Sequence, residues 1–335
     1  MNTSLMAQPA HAMMKPFRAA MAAGAPTGNP FALDDEQTYL QWRRRKLARF
    51  PATVDQLMVT VDRGWELSAL EFERMMDGCR RANMVMYSLV QGDFADKRLV
   101  ANLGAQFGLH RLDKNLRADE DAITSLQMVE NAALRAYIPY SNRALRWHTD
   151  GYYNPLDQQV RGVVMHCVSK AAVGGDNLLL DHEMVYLQLR DKNPEFVAAL
   201  MAPEVMTIPA NVENGVQLRG AQTGPVFSVG PQSGSLHMRF TARNRHISWQ
   251  QDATTQAAVE CLNKLMSEDA DYVFHVRLDP GQGIICNNVL HGRSAYQDDA
   301  KAGVQRLLYR ARYYDRITGT GIREPDSVYS EHAMA

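Results

Sequence analysis

Apolar residues recur three and four apart in the first third of the chain, then give way to short apolar runs separated by turn residues. Asp34 and Gln37 have the spacing of an N-cap, Leu40, Arg43, Leu47 and Phe50 follow on one face, and Pro51 ends the segment, which predicts a helix. Ser68 and Glu71 form a capping box ahead of the stripe Leu70, Phe72, Met75, Met76, Cys79 and Ala82, so a second helix is predicted to end near Asn83. Met84–Val90 reads as a strand. A third helix runs from Asp96 through Leu99, Leu103 and Phe107 to Gly108.

From Ile123 the period shortens. Strands are predicted at Ile123–Glu130, Leu134–Ile138, Val160–Val168, Asn177–Leu180, Val226–Val229, Leu236–Phe240, Tyr272–Leu278, Gly283–Asn287 and Val304–Tyr314. Two helical inserts interrupt them, one at His182–Arg190 continuing through Pro194–Met201, the other at Asp252–Met266. Many short strands separated by Gly, Pro and Asn predict a mixed α/β fold with a mainly β core, closed or double-sheeted. No repeat period is visible. The expected organisation is a flexible tail over 1–30 and one catalytic domain over 31–335. Within that domain we expect an α/β part at 31–122, a β core with helical inserts at 123–316 and a C-terminal tail at 317–335.

Composition narrows the partners. Lys and Arg total 36 against 37 Asp and Glu, a net charge of −1, so the basic excess of a nucleic-acid binder is missing. The run Arg43-Arg44-Arg45-Lys46, close to acidic Asp34, Asp35 and Glu36, reads as a solvated helix face. Cys79, Cys167, Cys261 and Cys286 show no CxxC spacing and mostly sit in apolar runs, as buried free thiols of a reducing compartment do. No run is long enough to cross a bilayer and no signal-peptide pattern is visible, so a cytoplasmic protein without nucleic-acid or membrane partners is expected. The sequence leaves open whether it forms a homo-oligomer.

The chemistry concentrates at Trp147-His148-Thr149-Asp150-Gly151 and Leu290-His291-Gly292-Arg293. His148 and Asp150 are two apart, so in a strand or its first turn both face one way and can share a metal. His291, after the strand Gly283–Asn287, is expected on a turn that aims its imidazole back at them. Two histidines and a carboxylate are the ligand set of the facial triad that holds non-haem Fe(II) and leaves adjacent positions open. Taken alone, His-x-Asp is a weak pattern in a chain with 10 histidines. His110, His166, His182, His237, His246 and His275 lack triad spacing and read as structural or exposed. Arg306, Arg310 and Arg312 share one strand face, where they either meet anions or form a solvated face. A carboxylate-bearing cosubstrate would satisfy one of them bidentately. Tyr152 and Tyr153 either line a pocket or pack, and Arg239 and Arg293 are open between site and structural roles.

Over about Met84–Asp315 the chain resembles the taurine dioxygenase-like Fe(II)/2-oxoglutarate oxygenases. The resemblance runs through Trp147–Asp150, Val173-Gly174-Gly175-Asp176-Asn177, Met238-Arg239-Phe240-Thr241, His291-Gly292-Arg293 and the arginine strand. It implies a double-stranded β-helix, or jelly roll, with flanking helices. It also implies Fe(II) on His148, Asp150 and His291, with 2-oxoglutarate and O2 as cosubstrates. By the same resemblance Arg306 pairs with the C5 carboxylate of 2-oxoglutarate. Asn177 stands where many relatives use Thr for that carboxylate, and its amide can donate instead. Arg310 stands at the position often used for the substrate's anion, Arg312 shares that expectation, and the three arginines could exchange roles. Asp150 stands where halogenating relatives carry a small residue, which favours hydroxylation.

The reaction expected from the resemblance is hydroxylation of an unactivated C–H bond in a small anionic or amino-acid-like metabolite, releasing succinate and CO2. Desaturation, cyclisation or epimerisation would use the same ligands, and a non-catalytic metal-binding jelly-roll sensor is the alternative outside enzymology. Substrate contacts are expected in the loops Asn154–Gln159 and Ala210–Gly224, the second long enough to act as a lid.

Overall fold

A computed structural model describes residues 28–114, 119, 121–129, 138–242, 247–267 and 269–324. The helices in these segments are α1 (Glu36–Arg49), α2 (Ala69–Ala82), α3 (Lys97–Gln106), α4 (His182–Lys192), α5 (Pro194–Leu200) and α6 (Ala253–Leu265). Two principal sheets contain β1 (Met58–Arg63), β2 (Met84–Gln91), β3 (Thr124–Leu126), β4 (Leu145–His148), β5 (Gly162–Ser169), β6 (Asn177–Leu180), β7 (Phe274–Val276), β8 (Gln282–Cys286), β9 (Leu290–Arg293) and β10 (Leu307–Tyr313). One sheet has the order β1-β2-β8-β5-β10-β3 and the other β7-β6-β9-β4. From β4 onward the chain crosses repeatedly between them, with β6 and β7 consecutive in the smaller sheet, and every pairing except β1 with β2 is antiparallel.

Burial explains the near-continuous apolar strands. In β5, Val163, Met165 and Cys167 face a cluster with Leu179, Phe274, Val276 and Ile284, which fills the space between the sheets. Val164 faces the other way, onto Met75, Met76 and Cys79 of α2 and Leu99 and Leu103 of α3. A strand covered on both faces shows no alternation. The smaller sheet turns Trp147, Leu178, Leu180 and Leu290 toward α1, α4 and α6.

Local signals set the helix ends. The α2 capping box is present as the sequence predicts, and Asn83 closes the helix at φ 56°. In α1 the cap is Asp35, one residue past the expected Asp34; its carboxylate accepts the Thr38 N–H at 3.0 Å. The expected continuous insert at 182–201 is two helices, because the side chain of Asn193 caps a new helix that begins at Pro194.

Several expectations need correction. Lys46 is not solvated: its ammonium is buried between Asp181 at 2.5 Å and Glu183 at 2.7 Å, because α1 lies across the N-terminus of α4. His291 is not on a turn but inside β9, opposite His148. The expected 211–224 loop contains a hairpin, Asn211–Glu213 with Val216–Arg219, followed by Gln222–Gly224, which pairs with Met206–Ile208. Residues Asn29 to Ala32 are packed, with the Asn29 amide donating to the Gly234 carbonyl at 2.8 Å, and Ile317 and Ile322 are buried. The expected strand at 134–138 lies, but for its last residue, outside the described residues. So do His246, residues 1–27 and residues 325–335 of the expected tails.

Candidate active site

His148 is the last residue of β4, and Asp150 follows in the turn that Gly151 continues at φ 65°. A Cβ at Gly151 would stand 2.5 Å from Val160, so this tight turn excludes a side chain. His291 on β9 pairs with His148 in the sheet, and the imidazole centroids are 4.3 Å apart. One ligand atom from each of His148, Asp150 and His291 lies within 4.8 Å of the others, and all three residues are buried.

Both imidazoles are held by their Nδ1. That of His148 is 2.9 Å from the Arg146 carbonyl and that of His291 is 2.9 Å from the Val289 carbonyl. A carbonyl only accepts, so each Nδ1 carries the proton and each Nε2 keeps its lone pair for a metal. Asp150 Oδ1 accepts from Arg310 Nη1 at 2.8 Å, whereas Oδ2 is buried without a hydrogen bond and lies 3.9 Å from His291 Nε2. Burial raises the Asp150 pKa, but Arg310, His291, Arg312 and His148 more than offset this and hold the carboxyl well below the usual range. A buried anionic oxygen without a donor beside two imidazole lone pairs suits a divalent cation, and the N2O donor set suits Fe(II).

Sequence reasoning missed Asn288, whose side chain fixes the carboxylate. Its Oδ1 accepts the Asp150 N–H at 2.8 Å, and its Nδ2 donates to the carbonyls of Asp150 at 2.9 Å and Val160 at 2.6 Å. The φ of 51° at Asn288 makes the turn that separates β8 from β9. The sequence signal was Asn287-Asn288 between two apolar runs.

A pocket of about 380 Å³, mouth included, extends from His291 and is lined by Leu145, Met165, Asn177, Arg293, Arg306 and Arg310. Arg310 and Arg312 both approach Asp150, Arg312 at 3.8 Å, whereas Arg306 does not. Arg310 pairs with Asp150; Arg312 pairs with Asp113 and donates to the Tyr153 hydroxyl at 2.9 Å. Arg306 has no carboxylate within ion-pair distance among the described residues, and its Nη1 is buried without a partner. Arg293 and Arg306 approach the Tyr296 ring at 4.7 and 5.1 Å. Burial, then mutual repulsion, brings Arg293 down to about 10, and burial lowers Arg306 as well. Two desolvated cations at one end of a pocket call for an anion. Asn177 is buried on the same wall, its amide donating to the Val276 carbonyl at 3.2 Å.

Tyr152 stands edge-on to His148 with centroids 6.4 Å apart, and Tyr153 packs edge-on to Tyr152 at 5.1 Å. Arg239 is structural: it is buried and donates to the carbonyls of Met206, Gly224, Pro225, Gln222 and Tyr152, which ties the end of the expected 210–224 loop to the segment after Asp150.

Residues 90–312 match the taurine catabolism dioxygenase TauD, TfdA family. A uridine-5'-phosphate dioxygenase of Amycolatopsis sp is 31% identical over 173 residues, covering 50% of this chain and 60% of that protein. One of Streptomyces sp is 27% identical over 206 residues, covering 58% and 71%. The structure of an asparagine oxygenase with Fe(II), 3-hydroxyasparagine and succinate superposes with a TM-score of 0.52 at 17% identity, covering 89% of each chain. The family match spans the metal-ligand cluster, the unpaired Arg306 and the strands between, so the chain belongs to the TauD/TfdA family of Fe(II)- and 2-oxoglutarate-dependent dioxygenases.

Proposed function

We propose that the protein hydroxylates a C–H bond of a small anionic metabolite on a double-stranded β-helix scaffold. The overall reaction consumes 2-oxoglutarate and O2 and yields hydroxylated product, succinate and CO2. The observation that carries this reading is the alignment of the two Nε2 atoms and the orphaned Asp150 Oδ2 at one end of a pocket that ends on the unpaired Arg306.

In this reading His148, Asp150 and His291 hold Fe(II), and Arg306 takes the far carboxylate of 2-oxoglutarate bidentately. Asn177 lines that pocket. Bound Fe(II) with its cosubstrates supplies the oxidising power. The protein's share is placement: Arg310 orients Asp150 and balances its charge, Arg312 holds Tyr153, and Tyr152 shapes the face of the pocket next to His148. Arg310 and Arg312 therefore act on the substrate's surroundings while paired to protein carboxylates.

The uridine-5'-phosphate dioxygenase relatives make a phosphorylated nucleoside the first substrate class to try. The test is succinate release from 2-oxoglutarate with Fe(II) and a reductant, across nucleoside 5'-monophosphates and amino acids. One compound should stimulate succinate and gain the mass of one oxygen. Undiminished turnover in His148→Ala or Asp150→Ala would overturn the reading.

A further inference from the structure

With Arg310 and Arg312 committed to Asp150 and Asp113, the substrate's own anion needs another cation. We propose that Arg219, on the 211–219 hairpin, is a specificity-determining residue that receives a phosphate monoester on the substrate. This rests on the dioxygenase reading above.

The guanidinium of Arg219 lies over the Tyr153 ring, 5.5 Å from its centroid, so His148, Tyr152, Tyr153 and Arg219 form one continuous wall. Its hydrogen bonds go to backbone carbonyls alone, Gly220 at 2.8 Å and Pro209 at 2.7 Å. It has no carboxylate partner among the described residues. A guanidinium has five N–H donors, so most of its fork is left for a ligand. It is half-buried, and burial lowers its pKa, a cost that an arriving anion would relieve. The phenols of Tyr152 and Tyr153 are the polar groups that face it.

The position is anchored. Arg239 ties the Gln222, Gly224 and Pro225 carbonyls to that of Tyr152, so the root of the hairpin is fixed relative to the wall. A Cβ on Gly224 would stand 2.8 Å from Leu156, which shows how closely the two loops approach. Between the metal ligand and the guanidinium, Tyr152 offers an aromatic ring to a flat group, while the Tyr153 ring carries Arg219 and Arg312. A guanidinium at the end of that wall suits bidentate phosphate. Together they fit a substrate with a ring and a phosphate monoester.

The experiment uses the full chain with Fe(II) and 2-oxoglutarate under anaerobic conditions, titrated with uridine 5'-monophosphate or with uridine. The readout is perturbation of the Fe(II)–2-oxoglutarate charge-transfer absorption. Arg219→Gln is expected to weaken nucleotide binding about 10- to 100-fold, the loss of one charge-assisted bidentate contact, and to leave uridine within about 2-fold. Arg219→Lys should fall between wild type and Arg219→Gln. Equal weakening of both ligands, an unchanged nucleotide affinity, or no preference for nucleotide over uridine in the wild type would each overturn the assignment. Absence of the absorption itself overturns the dioxygenase reading and this inference with it. A normal band with an Arg219-independent response overturns this inference alone.

Discussion

Asp150 is held from three directions, and each hold has a separate consequence. Arg310 fixes one oxygen, Asn288 grips the backbone on both sides, and the second oxygen is left for a metal. Asn288→Gly keeps a backbone suited to φ 51° while deleting the three side-chain hydrogen bonds, so it separates conformation from positioning. Fe(II) affinity should fall about 10-fold, as for loss of an outer-shell contact, and the melting temperature should fall as well because three buried hydrogen bonds are lost. A metal titration beside a melting curve checks this, and an unchanged affinity would show that Asn288 only shapes the turn. Arg306→Gln should raise the KM for 2-oxoglutarate about 10- to 100-fold and leave turnover at saturating cosubstrate far less affected. Equal loss in both parameters would contradict the anchoring role.

At the scale of elements, the helices and strands carried local signals that survive in the structure. The Ser68–Glu71 capping box, the apolar run of β5 and the even spacing of Arg310 and Arg312 were all legible, whereas Arg306 precedes the strand and a register shift at Leu307–Leu308. The failures depend on contacts distant in sequence. His291 looked like a turn residue because β9 is only four residues long and is made a strand by β4 and β6. Lys46 looked solvated because Asp181 and Glu183, its partners, lie more than 130 residues away. Of the two readings open for the arginines, Arg310 and Arg312 meet anions, and nothing local could show that Asp150 and Asp113 supply them. Lys46→Met should cost about 3–5 kcal/mol, since it leaves two buried carboxylates without their cation. Urea unfolding measures this, and a loss under about 1 kcal/mol would contradict the buried ion-pair account.

For the molecule as a whole, acid is the direction of weakness. His166, within β5, has Nδ1 3.0 Å from the Tyr87 hydroxyl and Nε2 3.2 Å from the Phe94 carbonyl. Burial lowers it from 6.5 to about 4, and burial lowers His182 and His237 as well. A histidine kept neutral by the fold takes up a proton more readily when unfolded. Its stabilisation is therefore complete above pH 6.5 and is lost as pH falls from 6.5 toward about 4. Unfolding free energy should drop by about 2 kcal/mol or more between pH 7 and pH 5. A flat profile across that range would contradict the buried neutral imidazoles.

The central claim is that His148, Asp150 and His291 hold Fe(II) beside a pocket lined by His291 and Arg306. Its most direct test is anaerobic absorption spectroscopy of the full chain on adding Fe(II) and then 2-oxoglutarate. A metal-to-ligand charge-transfer band is expected in the wild type. In His291→Ala it should be lost, and in Arg306→Gln it should need about 10- to 100-fold more 2-oxoglutarate. No band in the wild type, or an undiminished band in His291→Ala, would contradict the account.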